Sequence, residues 1–212
     1  MRTVAAFDFD GTLSSRDNFV PFLRIVAGNA ALARAVCAAA PAMLAAQRDP
    51  AQRDVAKAIV LRRTLAGRRE DHVRDLGARY ARLVVAHHLH RDVLARLEAH
   101  RAEGHDLVVV SASLQLYLDS VATRLGIATV LATALEVDSD GRLTGELLGA
   151  NVRGAEKARR LDGWLGSTPA FVYAYGDSHG DAELLARADH AVRVDRRGRI
   201  PHIDVGAPQA LR

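Results

Sequence analysis

Apolar and polar positions follow two different periods along this chain, and each period predicts a different kind of element. Five short runs are almost continuously apolar and rich in β-branched residues, as is typical of buried strands. Apolar residues recur at helical spacing in 114–126 and 155–166, and each of these stretches ends at a glycine. The five predicted strands are residues 3–9, 106–113, 128–137, 170–177 and 190–195.

The order of these elements predicts an α/β fold. Strands that alternate with helices and are apolar on both faces form parallel sheets that helices cover on both sides. Residues 136–147 contain an Asp-Gly pair between two short apolar runs and predict a small β-hairpin. We therefore expect one parallel sheet with a hairpin excursion.

Residues 15–88 interrupt the alternation of strands and helices. This segment shows no strand pattern and is helix-like sequence rich in alanine, leucine and arginine. The simplest interpretation is a helical cap domain at 15–88, inserted into a core domain that consists of 1–14 and 89–212. Ligands of open α/β sheets bind at the carboxyl ends of the strands, and the insertion would lie over that edge.

The composition is that of an ordinary soluble globular protein, with 49% hydrophobic and 25% charged residues in a chain of 212. The single cysteine, Cys37, excludes an internal disulfide and fits a reducing compartment. No secretory signal is visible, so we expect a cytoplasmic protein. Residues 35–47 are apolar but too short to span a membrane, and with Pro41 they predict a buried or semi-buried helix pair.

The formal net charge of +4 favours anionic partners through long-range attraction. The basic residues alternate with acidic ones, and aromatic residues make up only 5% of the chain. This pattern favours solvated helix faces, and we expect no nucleic-acid partner and no stable membrane insertion.

Two aspartates stand two residues apart at the end of the first predicted strand. Asp8 and Asp10 precede Gly11 and Thr12, and the alternation of a strand directs both carboxylates to one side. Two carboxylates this close repel each other unless a divalent cation, a proton or a lysine lies between them. The alternative is a turn aspartate beside an exposed strand-end aspartate.

Other predicted strand ends supply polar groups of the same kind. Ser111 and Ala112 precede a helix whose free N–H groups could hold a phosphate oxygen, although Ser113 could simply cap that helix. Lys157 lies in the first turn of a helix, where a positive charge is unfavourable unless an anion is near. The alternative for Lys157 is an exposed lysine paired with Glu156.

The last predicted strand ends add two more carboxylates to this edge. Asp177 ends a strand, and Asp181 starts the helix that follows it. Asp181 could also be only a cap or a first-turn acid.

These groups fit one mechanism of phosphoryl transfer. Asp8 would attack phosphorus to give an aspartyl-phosphate, and Asp10 would protonate the leaving oxygen and then deprotonate a water. Mg²⁺ would take Asp8, the backbone carbonyl of Asp10, and Asp177, since it prefers oxygen ligands. Lys157 and the metal would reduce the repulsion between nucleophile and substrate, while Ser111 and backbone N–H groups would hold the phosphate.

The ordered set DFDGTL, VVVSAS, Lys157 and GDSHGD resembles the haloacid-dehalogenase-like superfamily, most closely its phosphoserine-phosphatase-like branch, subfamily IB. The resemblance covers roughly residues 3–195 and implies a Rossmann-like three-layer sandwich with a helical cap, Mg²⁺ dependence and phosphomonoester hydrolysis. By motif position, it implies that Asp8 is the nucleophile and Asp10 the acid/base. The implied phosphate-binding residues are Gly11, Thr12, Ser111, Ala112 and Lys157, and the implied metal site comprises Asp8, Asp10, Asp177 and Asp181.

The substrate is less well specified than the chemistry. Phosphoserine phosphatases are expected to carry a glutamate at the place of Asp17, so Asp17 could contact a cationic group of the substrate; the alternative is that it caps the next helix. We expect a small phosphorylated metabolite, with phosphoserine as one candidate and a larger, more apolar phosphomonoester as another. His87, His88, His90 and His179 receive no assigned role, and zinc binding at the first three is not favoured.

Two other function classes compete with hydrolysis. A phosphotransferase or mutase would use the same aspartyl-phosphate and pass the group to a second hydroxyl. A non-catalytic protein that binds nucleic acid or anionic lipid is the third possibility, and the intact set of carboxylates argues against it. The sequence does not predict the oligomeric state.

Overall fold

Seven strands and seven helices account for the regular structure in a computed structural model that describes residues 2–202, 205 and 206. The strands are β1 (Arg2–Phe7), β2 (Asp106–Leu114), β3 (Thr129–Thr133), β4 (Leu135–Val137), β5 (Leu143–Leu147), β6 (Ala170–Gly176) and β7 (His190–Arg193). The helices are α1 (Phe19–Ala45), α2 (Gln52–Leu65), α3 (Glu70–His87), α4 (Arg91–Ala102), α5 (Gln115–Arg124), α6 (Ala155–Leu165) and α7 (Ala182–Arg187).

Five of the strands form one parallel sheet in the order β3-β2-β1-β6-β7. The predicted alternation of strands and helices is therefore confirmed, and the fold is a Rossmann-like α/β sandwich. The predicted strand at 128–137 differs in detail, because the chain leaves the sheet after Thr133 and starts β4 at Leu135. β4 and β5 form the antiparallel hairpin that the Asp-Gly pair predicted.

The sheet is buried on both faces, as the apolar runs predicted. Ala5 and Phe7 of β1 lie in the larger buried cluster, which also holds side chains of α1 to α5. Val4 and Ala6 point the other way, into a second cluster with residues of α6 and α7. The alternation of side chains along one strand thus divides the core into two helical layers around the sheet.

The register of β1 determines which residues meet at the carboxyl edge. Phe7 is level with Val109 of β2 and with Tyr175 of β6. The chain therefore places Asp8, the Ser111 region and Asp177 side by side just beyond these pairs. In open α/β sheets this edge is where ligands bind.

The segment between β1 and β2 is helical throughout its regular part. α1 packs against α2, and α2 packs against β5 of the hairpin, while α3 packs along α5 of the sheet layer. This segment therefore contacts the hairpin through α2 and the sheet layer through α3. The boundaries of the cap domain, residues 15–88, remain a prediction.

Residues 35–47 do not form the helix pair that the sequence predicted. Residues 35–45 belong to one helix that continues through Pro41, and the break in α1 lies earlier, at Gly28, where φ is +79°. Pro41 is exposed, so water can satisfy the backbone group that it leaves unpaired.

In the described part of the chain, one helix is long and apolar enough to cross a membrane by length and composition alone. That helix is α1, with a mean hydropathy of 1.4, and 33% of its most apolar window is buried. Core helices of soluble proteins and signal sequences meet the same criterion, so it does not by itself assign a membrane span.

Candidate active site

Asp8 lies at the centre of the carboxyl edge, directly after β1. Its backbone N–H donates to the carbonyl of Tyr175 at 2.9 Å, which continues the sheet by one residue. The side chain is buried, with 5% exposure for the residue, and accepts a hydrogen bond from Lys157 Nζ at 2.5 Å. Burial raises the pKa of Asp8 to about 6, although Lys157 acts in the opposite direction.

Lys157 joins two carboxylates at the start of α6. Its ammonium group donates to Asp8 Oδ1 and to Asp181 Oδ1, each at 2.5 Å, and its side chain is 3% exposed. Burial by itself lowers the pKa of a lysine, but Asp8 and Asp181 outweigh it and raise the pKa of Lys157. The alternative of an exposed lysine is wrong, since Glu156 pairs instead with Arg159 and Arg160.

Asp181 has a double role. Its Oδ2 accepts hydrogen bonds from the backbone N–H of Ser178 at 2.9 Å and from the Ser178 hydroxyl at 2.8 Å. These bonds close a capping box over the short 3₁₀ turn His179–Asp181. Asp181 therefore does not cap α7, where its side chain makes no cap hydrogen bond: one oxygen closes the preceding 3₁₀ turn and the other faces Lys157.

Three carboxylates converge at this edge. One oxygen each of Asp8, Asp177 and Asp181 lies within 4.8 Å of the others, and among the described residues this is the one such group of three or more metal-binding side chains. Burial, followed by the charge of Asp181, raises the pKa of Asp177. Carboxylate oxygens are hard ligands, so the residues present fit a cation such as Mg²⁺.

The Gly11–Thr12 turn supports this group. The Thr12 hydroxyl donates to Asp177 Oδ1 at 3.3 Å. Gly11 has a φ of +81°, and a Cβ atom there would overlap the Asp177 carboxylate. Glycine is therefore needed here both for the backbone conformation and for space.

Asp10 lies in a separate network of hydrogen bonds. Its Oδ1 accepts from the backbone N–H of Asn18 at 3.1 Å and from Asn18 Nδ2 at 2.7 Å, and its Oδ2 accepts from Ser113 Oγ at 2.6 Å. Desolvation, with the nearby charge of Asp17, raises the pKa of Asp10 to about 7. The alternative of a turn aspartate beside an exposed one does not hold, because both carboxylates have specific partners.

The two serines near the end of β2 have different partners from those that the sequence suggested. Ser111 is buried, and its Oγ accepts a hydrogen bond from the backbone N–H of Ser113 at 3.2 Å. Ser113 does not cap α5, because its hydroxyl donates to Asp10 and the cap position is Leu114. Ser113 is thus a partner of the second aspartate.

Lys57 of α2 is a site residue that the sequence did not reveal. Its Nζ donates to the carbonyl oxygen of Ala112 at 2.7 Å and to Asn151 Oδ1 at 2.5 Å. Burial lowers its pKa to about 8, although Asp54 and Asp10 act in the opposite direction. No local pattern distinguishes this lysine, because its partners lie 55 and 94 residues away.

A cavity of about 680 Å³ joins these groups. Its polar part is lined by Asp8, Asp10, Gly11, Arg16, Asp17, Arg53, Asp54, Lys57, Ser111, Ala112, Ser113, Asn151, Arg153, Lys157, Asp177, Ser178, Gly180 and Asp181. The predicted site residues are therefore brought together, except that Thr12 lies behind the lining. Arg153 and Asn151 are further lining residues that carried no sequence signal.

Asp17 lies at the cavity and at the start of α1. Its Oδ1 accepts a hydrogen bond from the backbone N–H of Phe19 at 2.9 Å, as a residue at a helix start does. It also lines the cavity, so contact with a substrate stays a prediction.

The four histidines without an assigned role lie elsewhere. His87 ends α3, and His88 and His90 lie between α3 and α4. His179 is exposed in the 3₁₀ turn. All four lie outside the lining of the cavity.

Comparison with known proteins identifies the family to which this chain belongs. A model of the haloacid dehalogenase-like hydrolase family matches residues 5–186. Protein CicA of Caulobacter vibrioides is 36% identical over 186 residues, which are 88% of this chain and 83% of that protein.

Two solved structures extend the comparison to the fold. A protein with unknown function from Bordetella pertussis Tohama I superimposes with a TM-score of 0.77 at 25% identity, covering 92% of this chain and 90% of that one. A phosphoserine phosphatase described as a phospho-aspartyl intermediate analogue has a TM-score of 0.65 at 17% identity, covering 91% and 86%. At 17% identity, the similarity to this phosphoserine phosphatase shows a shared fold only.

Proposed function

The chain belongs to the haloacid dehalogenase-like hydrolases and is a phosphatase-like enzyme, and we propose that it hydrolyses a small phosphate monoester with Mg²⁺ through an aspartyl-phosphate. The observation that carries this proposal is the environment of Asp8. Its buried carboxylate accepts a hydrogen bond from Lys157 and lies near Asp177 and Asp181, in the wall of a cavity that is large enough for a metabolite. A buried anion in such a place is suited to attack an anionic substrate.

In the first step, an Asp8 oxygen forms a bond to phosphorus while the bond from phosphorus to the ester oxygen breaks. Asp10 donates its proton to the leaving oxygen, which departs as an alcohol. In the second step, Asp10 accepts a proton from a water whose oxygen attacks phosphorus. The bond to Asp8 breaks, and inorganic phosphate and free Asp8 result.

The hydrogen bonds of Asp10 suit this role. Asn18 and Ser113 fix both of its oxygens, and a pKa of about 7 allows it to donate and accept a proton near neutral pH.

Charge neutralisation comes from the groups around Asp8. Lys157 holds Asp8 and Asp181 in place and offsets their negative charge. Asp8 and Asp177, the backbone carbonyl of Asp10 and the supporting Asp181 would hold Mg²⁺, which supplies Lewis-acid stabilisation of phosphate charge when bound. We infer that Ser111 and backbone N–H groups of Gly11 and Ala112 bind the phosphate oxygens, whereas the Thr12 N–H already donates to the carbonyl of Phe9 at 3.2 Å.

The proposal is tested by phosphate release from a panel of phosphate monoesters, including phosphoserine, with Mg²⁺ and with EDTA. We expect Mg²⁺-dependent release, and we expect Asp8→Asn to lower kcat by about 1,000-fold or more, because the covalent route is lost. Asp75→Asn is the matched control, since Asp75 is exposed on α3 and outside the cavity.

Two further readouts make the test specific for the mechanism. Acid-quenched enzyme should retain phosphate from a labelled substrate in the native protein and lose it in Asp8→Asn. Release that persists in Asp8→Asn, or a panel on which the folded native protein is inactive with Mg²⁺, would contradict the proposal. Transfer of phosphate to an added alcohol in place of water would identify a phosphotransferase.

A further inference from the structure

The cavity has two chemically different parts. The sheet edge contributes the charged and polar groups around Asp8. The opposite wall is apolar along α1 and mixed along α2, where Arg53, Asp54 and Lys57 also line the cavity. Its apolar lining residues are Phe19, Val20, Val36, Ala39 and Met43 of α1 and Ala56 and Val60 of α2.

The apolar residues of α1 form a continuous stripe. Val36, Ala39 and Met43 stand at helical spacing, so they lie on one side of the helix. The stripe from Val36 to Met43 is about 10 Å long at the rise of an α-helix. Ala56 and Val60, four residues apart on α2, line the same space. The two helices therefore form an apolar groove that continues from the polar edge.

This groove exposes large apolar side chains to solvent. Val20 is 40% exposed, Val36 46% and Met43 54%. Among the described residues, five of the nine exposed large apolar side chains lie in α1, and three of those five line the cavity. Exposed apolar surface of this kind marks a place where an apolar ligand gains free energy by displacing water.

Arg53, Asp54, Lys57, Arg153 and Asp17 bring charge to the junction of the two parts, and three of these groups are already paired within the protein. Lys57 donates to Ala112 and Asn151, and Asp54 accepts from Asn151 Nδ2 at 2.7 Å. Asp17 accepts from the backbone of Phe19. An amine on the substrate would have to compete with the bonds of Asp17 and Asp54, whereas a hydrocarbon group along α1 leaves them intact.

We propose that the organic group of the substrate is an apolar chain that lies between α1 and α2 while its phosphate contacts Asp8. This inference rests on the proposed hydrolysis and adds the substrate class. The occupant is a hydrocarbon chain attached to the phosphate, since one cavity connects the stripe with the catalytic edge.

The test is a series of n-alkyl phosphates from ethyl to decyl, measured below their aggregation concentrations with phosphoserine for comparison. We expect kcat/KM to rise by about two- to fourfold per methylene until the groove is filled, as burial of methylene groups predicts. Phosphoserine should fall well below octyl phosphate.

Two variants of neighbouring residues show where the chain lies. Met43→Glu places a carboxylate in the groove and should lower the ratio of octyl to ethyl phosphate kcat/KM at least about tenfold, because the chain would contact a charge. Leu44→Glu is the matched control: Leu44 is 66% exposed on the same helix and lies outside the cavity lining. It should leave the whole series unchanged.

The possible failures separate the two proposals. Activity on ethyl phosphate and phosphoserine without any rise along the series would overturn the apolar chain and leave the hydrolase intact. Equal loss in Met43→Glu and Leu44→Glu would assign the effect to the outer face of α1 and also overturn it. Inactivity of the native protein toward every ester would overturn both proposals.

Discussion

Gly11 shows how a single residue constrains the acidic edge. Its φ of +81° lies in the left-handed region, and a Cβ atom would overlap the carboxylate of Asp177. The turn after β1 can therefore approach the acids only because this position lacks a side chain. Asp8 and Asp10 depend on the same turn for their positions.

Replacement of Gly11 by alanine should affect both stability and activity. The backbone conformation alone costs about 1–2 kcal/mol of unfolding free energy for an L-residue. The displaced Asp177 should in addition lower kcat/KM by about tenfold or more, since small displacements of catalytic groups have large effects. Urea unfolding and phosphate release measure the two effects.

Gly104→Ala is the control for Gly11→Ala. Gly104 has a φ of +72°, and a Cβ atom there would meet nothing within 4 Å. It should lose similar stability and keep full activity. Equal activity in both variants would show that Gly11 acts through its backbone conformation alone.

At the scale of whole elements, the approach of α3 to α5 sets how the segment between β1 and β2 is attached to the sheet layer. Gly77 of α3 lies against the backbone of α5, and a Cβ atom there would overlap the carbonyl oxygen of Leu116. The two helices are therefore closer than most side chains would allow. Substitution must separate them or distort one of them.

Gly77→Ala should lower the free energy of unfolding by about 1–3 kcal/mol, as overpacking does. Gly163→Ala is the matched control, because Gly163 is exposed in α6 and its Cβ would meet nothing within 4 Å. That variant should gain about 0.5–1 kcal/mol through the helix preference for alanine. Denaturant unfolding measures the stability of both variants. A gain in the stability of Gly77→Ala would contradict the close contact between α3 and α5.

For the whole molecule, a buried histidine couples the stability of the fold to pH. His100 of α4 is fully buried and shares hydrogen bonds with Tyr175 of β6 at 2.7 Å and with His105 at 2.8 Å. Burial, followed by the charges of His105, Arg96 and His190, lowers the pKa of His100 from 6.5 to about 3. The folded protein therefore holds this histidine neutral.

Below pH 6.5 the unfolded chain binds a proton at His100 that the folded protein does not bind. The stability that this neutral group contributes is complete above that pH and is lost as the pH falls toward 3. We expect the difference in unfolding free energy between the native protein and His100→Gln to shrink on acidification. The slope should reach up to about 1.4 kcal/mol per pH unit.

Comparison of the native protein with His100→Gln removes the opposing contributions of other titrating groups to the unfolding free energy. Asp8 and Asp10 have raised pKa values, so their effect on stability has the opposite sign over the same range, but it is common to both proteins. Urea unfolding at pH 7, 6 and 5 with EDTA present gives the difference. A difference independent of pH would show that His100 does not control acid sensitivity.

Much of the fold and site could be predicted because it depends on local pattern. The apolar runs determined the strands, their alternation with helices determined the parallel sheet, and the motifs located Asp8, Asp10, Ser111, Lys157, Asp177 and Asp181. The prediction failed where short-range pattern was ambiguous. An alanine-rich stretch around Pro41 does not show that the helix break lies at Gly28.

The sequence by itself determined the chemistry of the carboxyl edge. The motif residues stand at the ends of strands, and the carboxyl ends of parallel strands lie at the same edge of the sheet. What only the tertiary structure decided is which groups face that chemistry from elsewhere. Ser113 and Asn18 bind Asp10, and Lys57 of α2 reaches Ala112 near the end of β2, 55 residues away. The apolar wall likewise exists only because α1 packs on α2 beside Asp8. Contacts between distant segments depend on packing geometry, which local periodicity does not encode.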